Sequence, residues 1–234
     1  MEKEAWKNIL QTYKDYGINM VRFHSHCPPE AAFFAADEMG ILMQPELSHW
    51  DPKHAFEFDE SFSYYQKELR QIIKAHANHP SFVMLTFGNE LHCGALGTSR
   101  MHKMLQDAKK QDPTRLYANA SNAHYGNEGC DEESDFYASQ SFYNYRIRGT
   151  LAGNPEEAAK VDAYEKANGK LAKVNIKGYI NNQYPNAKTN FDETLRKIRE
   201  QYKKPVFSFE VGQFEVLPDF DELAHFKGIS DPAN

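Results

Sequence analysis

Two apolar runs of this chain end on carboxylates. His79-Pro80-Ser81-Phe82-Val83-Met84-Leu85-Thr86-Phe87-Gly88-Asn89-Glu90 closes on an amide and a glutamate, and Pro205-Val206-Phe207-Ser208-Phe209-Glu210 closes on a second glutamate. Polar residues at the ends of otherwise buried strands are costly unless those ends open into a solvated site. Two carboxyls delivered this way suit acid/base work, one protonated to donate and the other ionised. Arg22 lies inside the apolar run Ile18-Asn19-Met20-Val21-Arg22-Phe23, where an unpaired charge is expensive, so it calls for a carboxylate partner.

These groups need a frame. Trp6, Ile9, Leu10, Tyr13 and Tyr16 recur at helical spacing and stop at Gly17, and the strand carrying Arg22 follows. Pro28 and Pro29 open a short helix through Ala36 that closes at Gly40, and Ile41-Leu42-Met43-Gln44-Pro45-Glu46 reads as the next strand. The unit repeats with Asp59 as an expected N-cap, Tyr65, Leu69, Ile72, Ile73 and His76 on one helical face, and the strand that ends at Glu90. Thr98 is the expected cap of a helix through Met101, Met104, Leu105 and Ala108. Strands are then expected at Arg115 to Asn119, Phe136 to Tyr143 and Pro205 to Glu210, the last preceded by a helix on Phe191, Leu195, Ile198 and Tyr202.

Strands alternating with helices imply βαβ units and a parallel sheet with right-handed crossovers. Short apolar strands with polar C-terminal ends favour a (β/α)8 TIM barrel, in which the site forms at that face. Six strands are readable where the closed fold needs eight. The expectation is therefore an incomplete barrel carrying strands two to seven, in one domain of residues 1–234, with an insertion-like loop at about 144–188.

With 234 residues, 41% of them apolar and 13% aromatic, the chain can bury a sizeable core. A formal charge of −6 argues against nucleic acid or an acidic membrane as partner, because those surfaces attract the Lys/Arg clusters that are missing here. No apolar run approaches the roughly 20 residues of a membrane span, so no membrane insertion is expected. Cys27, Cys93 and Cys130 are odd in number and widely spaced, so free thiols are expected. Compartment is not legible.

Four segments taken in order carry a family likeness: Val21-Arg22-Phe23-His24-Ser25-His26-Cys27-Pro28, Asp37 through Glu46, His79 through Glu90, and Lys204-Pro205 through Phe209-Glu210-Val211-Gly212-Gln213. Together they resemble the catalytic barrel of glycoside hydrolase family 2, the β-galactosidase-like retaining glycosidases. The resemblance implies that Glu90 is the general acid/base and Glu210 the nucleophile. It also implies that Arg22 steadies the nucleophile's end of the site, that Asn89 hydrogen-bonds a sugar hydroxyl and that Tyr143 lies beside the nucleophile. One departure is visible: Arg22 to Pro28 is one residue longer than the family's usual Arg-x-Ser-His-x-Pro, which leaves open which histidine faces the sugar. The implied partners are a carbohydrate substrate and neighbouring β-sandwich domains of a full-length parent, with no metal or organic cofactor.

The chemistry is consistent with those roles, since retention needs two carboxyls about 5 to 5.5 Å apart in different protonation states. His49 and Trp50, just past Glu46, offer a sugar platform, because indole stacks on apolar sugar faces while histidine donates to hydroxyls. Glu46 itself is expected to support the site rather than react. Two other readings stay open. His24 and His26 form an H-x-H pair of the kind that holds zinc in metal-dependent amidohydrolase barrels, although the later strand ends carry Asn89, Glu90 and Glu210 instead of further ligands. A non-catalytic carbohydrate-binding fragment is the third, and the isolated segment is expected to be weak or inactive.

Overall fold

The chain's amphipathic segments fold as their spacing requires. The computed structural model describes residues 2–121, 132–139, 141–142, 145–146, 163, 167, 200 and 202–208. Helix α1 (Lys3–Asp15) buries Leu10 and is tied to α2 (Glu30–Met39) by Lys3 and Lys7, whose ammonium groups reach Glu38 at 2.6 and 2.5 Å. Those two lysines hold the Glu38 carboxyl down to about 2. Helix α2 presents Ala32, Phe33, Ala35 and Ala36 to the interior and ends on Gly40 at φ +69°, a left-handed cap that glycine adopts without steric cost. Helix α3 (Asp59–His76) buries Leu69, Ile72, Ile73 and His76, and α4 (Ala95–Gln111) buries Met101, Met104, Leu105 and Ala108.

Two caps differ from expectation. Asp59 is the first residue of α3 rather than its cap, and its carboxylate pairs with Arg100 on α4. Thr98 sits in the first turn of α4, where its hydroxyl donates to the Gly94 carbonyl; Gly94 is the N-cap residue, and its own N–H goes to Glu57 at 2.5 Å. Asp59 is thus engaged by a tertiary partner, and Thr98 by a local carbonyl one turn back.

The strands are short and run parallel. Strands β1 (Met20–Arg22) and β2 (Leu42–Gln44) pair with Arg22 opposite Gln44. Strands β3 (Met84–Thr86) and β4 (Leu116–Ala118) pair with Thr86 opposite Ala118. Parallel bridges Met43↔Phe82 and Glu46↔Thr86 join β2 to the β3 segment, and Ser121↔Ala138 joins the end of β4 to β5 (Tyr137–Ser139). A small antiparallel pair, β6 (Ser141–Phe142) with β7 (Tyr145–Arg146), follows, and β8 (Val206–Ser208) then lies parallel beside β5. Neighbours thus follow chain order, as βαβ repeats require. The described strands do not close into a ring. The insertion expected at about 144–188 falls almost wholly outside the described residues.

The core lies between these strands and the helices. Phe33, Ile41, Met43, Phe56, Phe82, Leu85, Phe87 and Tyr117 are fully buried. Before β3, the His79 ring meets the Asp37 carboxylate at 2.6 Å, and the Ser81 N–H donates to the same group at 2.9 Å. Burial opposes ionisation of Asp37, but these hydrogen bonds outweigh it and lower its pKa. The turn feeding β3 is thereby fastened to α2. Cys27 and Cys93 are free thiols, Cys27 being pushed up to about 12 by burial, and Cys130 lies outside the described residues. No helix among the described residues is long and apolar enough to cross a membrane.

Candidate active site

Past Thr86 the β3 segment leaves regular strand geometry, and the residue types explain where. Gly88 stands at φ +140°, and a Cβ there would lie 2.2 Å from the His49 carbonyl oxygen, so only glycine fits. Glu90 takes φ +50°, a left-handed conformation that is uncommon for a side chain of its size and is held only when its surroundings over-determine it. Those surroundings are main-chain hydrogen bonds. Asn89 N–H donates to His49 O at 3.0 Å, Glu90 N–H to Ser121 O at 2.7 Å, and Ser121 N–H to Gly88 O at 2.9 Å. Parallel bridges Trp50↔Asn89 and Asn89↔Ser121 set the three strand ends side by side. Glu90 is half-buried on this rim, while Asn89 is 1% exposed.

Beneath the rim lies a buried polar cluster. The Glu46 carboxylate is completely buried, and its Oε1 accepts from Arg22 Nη1 at 2.8 Å, Ser121 Oγ at 2.6 Å and Thr86 Oγ1 at 3.0 Å. Its Oε2 accepts the Ser25 N–H at 2.7 Å. Gln44 Nε2 donates to both hydroxyls, at 3.4 Å to Thr86 and 3.3 Å to Ser121. A carboxylate surrounded only by donors satisfies the rule that buried charge must be paired and hydrogen-bonded. Arg22 Nη1 also donates to Asn89 Oδ1 at 3.2 Å, which links this cluster to the rim.

The expected site residues fall into three groups. Arg22 reaches Asn89 across the intervening β2 strand end, Glu90 follows Asn89 in the chain, and the carboxylate partner that Arg22 called for is met by Glu46. His49 and Trp50 separate: successive residues of an extended segment point to opposite faces, so the His49 ring turns inward and Trp50 stays 62% exposed. The His49 ring stacks on Tyr65 at 4.0 Å and meets Phe56 edge-on at 4.5 Å, and this burial pulls its pKa down to about 4. Its ring contacts in the structure are therefore core aromatics, not an open platform. Glu210 and Tyr143 lie outside the described residues.

His26 Nδ1 faces the His24 carbonyl at 3.0 Å, and the His26 ring packs edge-on against Phe23. Among the described residues no group of three or more His, Cys, Asp or Glu side chains is placed to hold a metal. Ser25, Gln44, Thr86 and Ser121 were missed in the sequence. Thr86 and Gln44 carried a signal, a polar residue within an apolar strand, but Ser121 lies two residues beyond the strand expected to end at Asn119.

A profile described as glycosyl hydrolases family 2, TIM barrel domain, matches residues 1–214. The chain belongs to this family. Within glycosyl hydrolase family 2, a curated relative described as a putative beta-glucuronidase of Formosa agariphila is 32% identical over 122 residues, covering 50% of this chain and 11% of its own length. The chain thus spans about a tenth of that relative. Among solved structures, a beta-D-glucuronidase from Dictyoglomus thermophilum gives a TM-score of 0.56 at 18% identity, covering 94% of this chain and 34% of that one. A family-2 beta-galacturonidase from Eisenbergiella tayi bound to galacturonate gives 0.55 at 15% identity, covering 90% and 40%. At such identities these two establish the TIM-barrel fold of the family-2 chain and no more. Family membership displaces the amidohydrolase reading of His24 and His26.

Proposed function

We propose that this chain is the catalytic part of a retaining β-glycosidase. In the first step Glu90 gives its proton to the leaving oxygen as the bond to the anomeric carbon breaks, and a Glu210 oxygen forms the new bond to that carbon. In the second, water attacks the anomeric carbon, Glu90 takes the water's proton, and Glu210 leaves as a carboxylate. The observation that supports this most directly is the Gly88-Asn89-Glu90 turn. It sets a carboxyl in a strained, main-chain-clamped conformation on the rim, beside an amide anchored by a buried arginine. Strain at a strand end is a mark of functional placement. Trp50, exposed on the next strand end, serves as the stacking surface for the sugar ring. Tyr143 is assigned beside Glu210.

The name of the curated relative makes a β-glucuronide the first substrate to assay, ahead of a β-galactoside. Part of the sugar site belongs to neighbouring domains of the full-length protein, so the isolated segment is the weaker catalyst. The test is to offer the full-length protein a panel of aryl β-glycosides and follow the first-formed sugar by NMR. Release of the β-anomer before mutarotation is expected. First release of the α-anomer, or no turnover of any β-glycoside, would refute the proposal.

A further inference from the structure

The buried cluster under the rim does more than neutralise a charge. Arg22 can only donate hydrogen bonds, so the Asn89 atom facing it at 3.2 Å must be the carbonyl oxygen Oδ1, and the amide NH2 is turned the other way. No described residue accepts a hydrogen bond from that NH2 group. Arg22 in turn is fixed by the Glu46 carboxylate at 2.8 Å. Glu46 cannot rotate, because three strand ends and the Ser25 main chain hold its two oxygens. A rigid chain of contacts therefore runs from a fully buried carboxylate to an amide on the rim.

We propose that Glu46 is a positioning residue which, through Arg22, locks the Asn89 amide so that the site presents an N–H donor pair, selecting a substrate oxygen that accepts. This rests on the glycosidase reading for the identity of the ligand, a sugar hydroxyl, but the geometry of the lock does not. Replacing Glu46 by glutamine keeps the shape and breaks the lock. The new amide NH2 must then face either the Ser25 N–H or the Arg22 guanidinium, which can only donate, and on the Arg22 side the Thr86 and Ser121 hydroxyls would have to turn over to accept it. Arg22 also loses the charged acceptor that orients it on this side, so its hold on Asn89 Oδ1 loosens.

The first measurement needs no turnover. In 1H–15N spectra of the chain, the Asn89 side-chain NH2 pair is assigned by its absence from Asn89→Asp, and in Glu46→Gln it is expected to move by more than a linewidth while the spread of backbone amides is retained. An unmoved Asn89 pair in a folded Glu46→Gln protein overturns the inference. Should Glu46→Gln fail to fold, Ser121→Ala removes one of the three donors to Oε1 and carries the same test, with a smaller displacement in the same direction expected.

The second measurement uses the full-length protein and aryl β-glycosides lacking one hydroxyl at a time. In the wild type one position is expected to lose about tenfold in kcat/KM, and in Glu46→Gln that loss shrinks to under about threefold. A merely structural role lowers all substrates alike and leaves the ratio unchanged, which would overturn the inference while leaving the glycosidase reading intact. Absence of any turnover in the wild type refutes that reading alone, since the NH2 resonances decide the lock independently.

Discussion

Gly88→Ala tests the placement of the Glu90 turn most directly. The added Cβ would sit 2.2 Å from the His49 carbonyl oxygen and 3.0 Å from both the His49 carbonyl carbon and Cβ, and the backbone would remain at φ +140°. Forcing a side chain into that sparsely populated conformation costs about 1–3 kcal/mol. Overpacking against main chain that cannot swing aside adds about 1–3 kcal/mol more. The sum, about 2–6 kcal/mol, corresponds to a fall in Tm of about 4–24 °C for a chain of this size, at roughly 2–4 °C per kcal/mol. Circular dichroism during heating reads it. Gly40→Ala is the control, because Gly40 shares a left-handed φ of +69° but has nothing within 4 Å of the added Cβ. It should lose about 1–2 kcal/mol, the backbone component alone. A Gly88→Ala protein that melts within about 2 °C of wild type, or no lower than Gly40→Ala, would show that the close approach of Gly88 to His49 is not as described.

Three further outcomes are expected. Arg22→Ala leaves the fully buried Glu46 without its cation and should destabilise by about 3 kcal/mol in urea unfolding, at the low end of the usual range because a fifth of the Arg22 side chain remains in water; a loss below about 1 kcal/mol would deny the pair its importance. His49, held neutral with its pKa at about 4 against 6.5 in the unfolded chain, makes the unfolded state bind more protons between those values. Stability is thus intact above pH 6.5 and falls by about 3 kcal/mol toward pH 4, and His49→Gln should flatten that part of a Tm-against-pH curve. Glu90→Gln in the full-length protein should cost at least about 100-fold in kcat/KM on an alkyl β-glycoside but far less on a dinitrophenyl β-glycoside, whose leaving group needs no proton; equal losses on both would remove Glu90 from the proton-donor role.

The six parallel strands were legible because each is a short apolar run ending on polar residues, a signal that survives without knowledge of its neighbours. Helix starts were less so. Asp59 and Thr98 have the right chemistry for capping, but Asp59 is engaged by the remote Arg100, and Thr98 lies one turn inside the helix, where its hydroxyl bonds back to the Gly94 carbonyl. The cluster on Glu46 was not legible because it depends on lateral register. Glu46 meets Thr86, and Asn89 meets Ser121, only through the way separate strands slide into pairing. His49 and Trp50 show the same limit at shorter range, since adjacent residues read as one surface in sequence and face opposite ways once the backbone is extended.

The main-chain clamp around Glu90 has a consequence for how this scaffold tolerates change. The His49 carbonyl, the Ser121 N–H and carbonyl, and the Gly88 carbonyl exist whatever side chains surround them, so the main-chain course of the turn rests on these groups and on the glycine, while the Asn89 amide is held separately by Arg22. Residues around the mouth such as Trp50 can therefore be exchanged, by drift or by an engineer seeking a new specificity, without displacing the Glu90 main chain. A library that varies the rim while holding Gly88 constant should yield folded proteins with altered sugar preference far more often than one that varies Gly88.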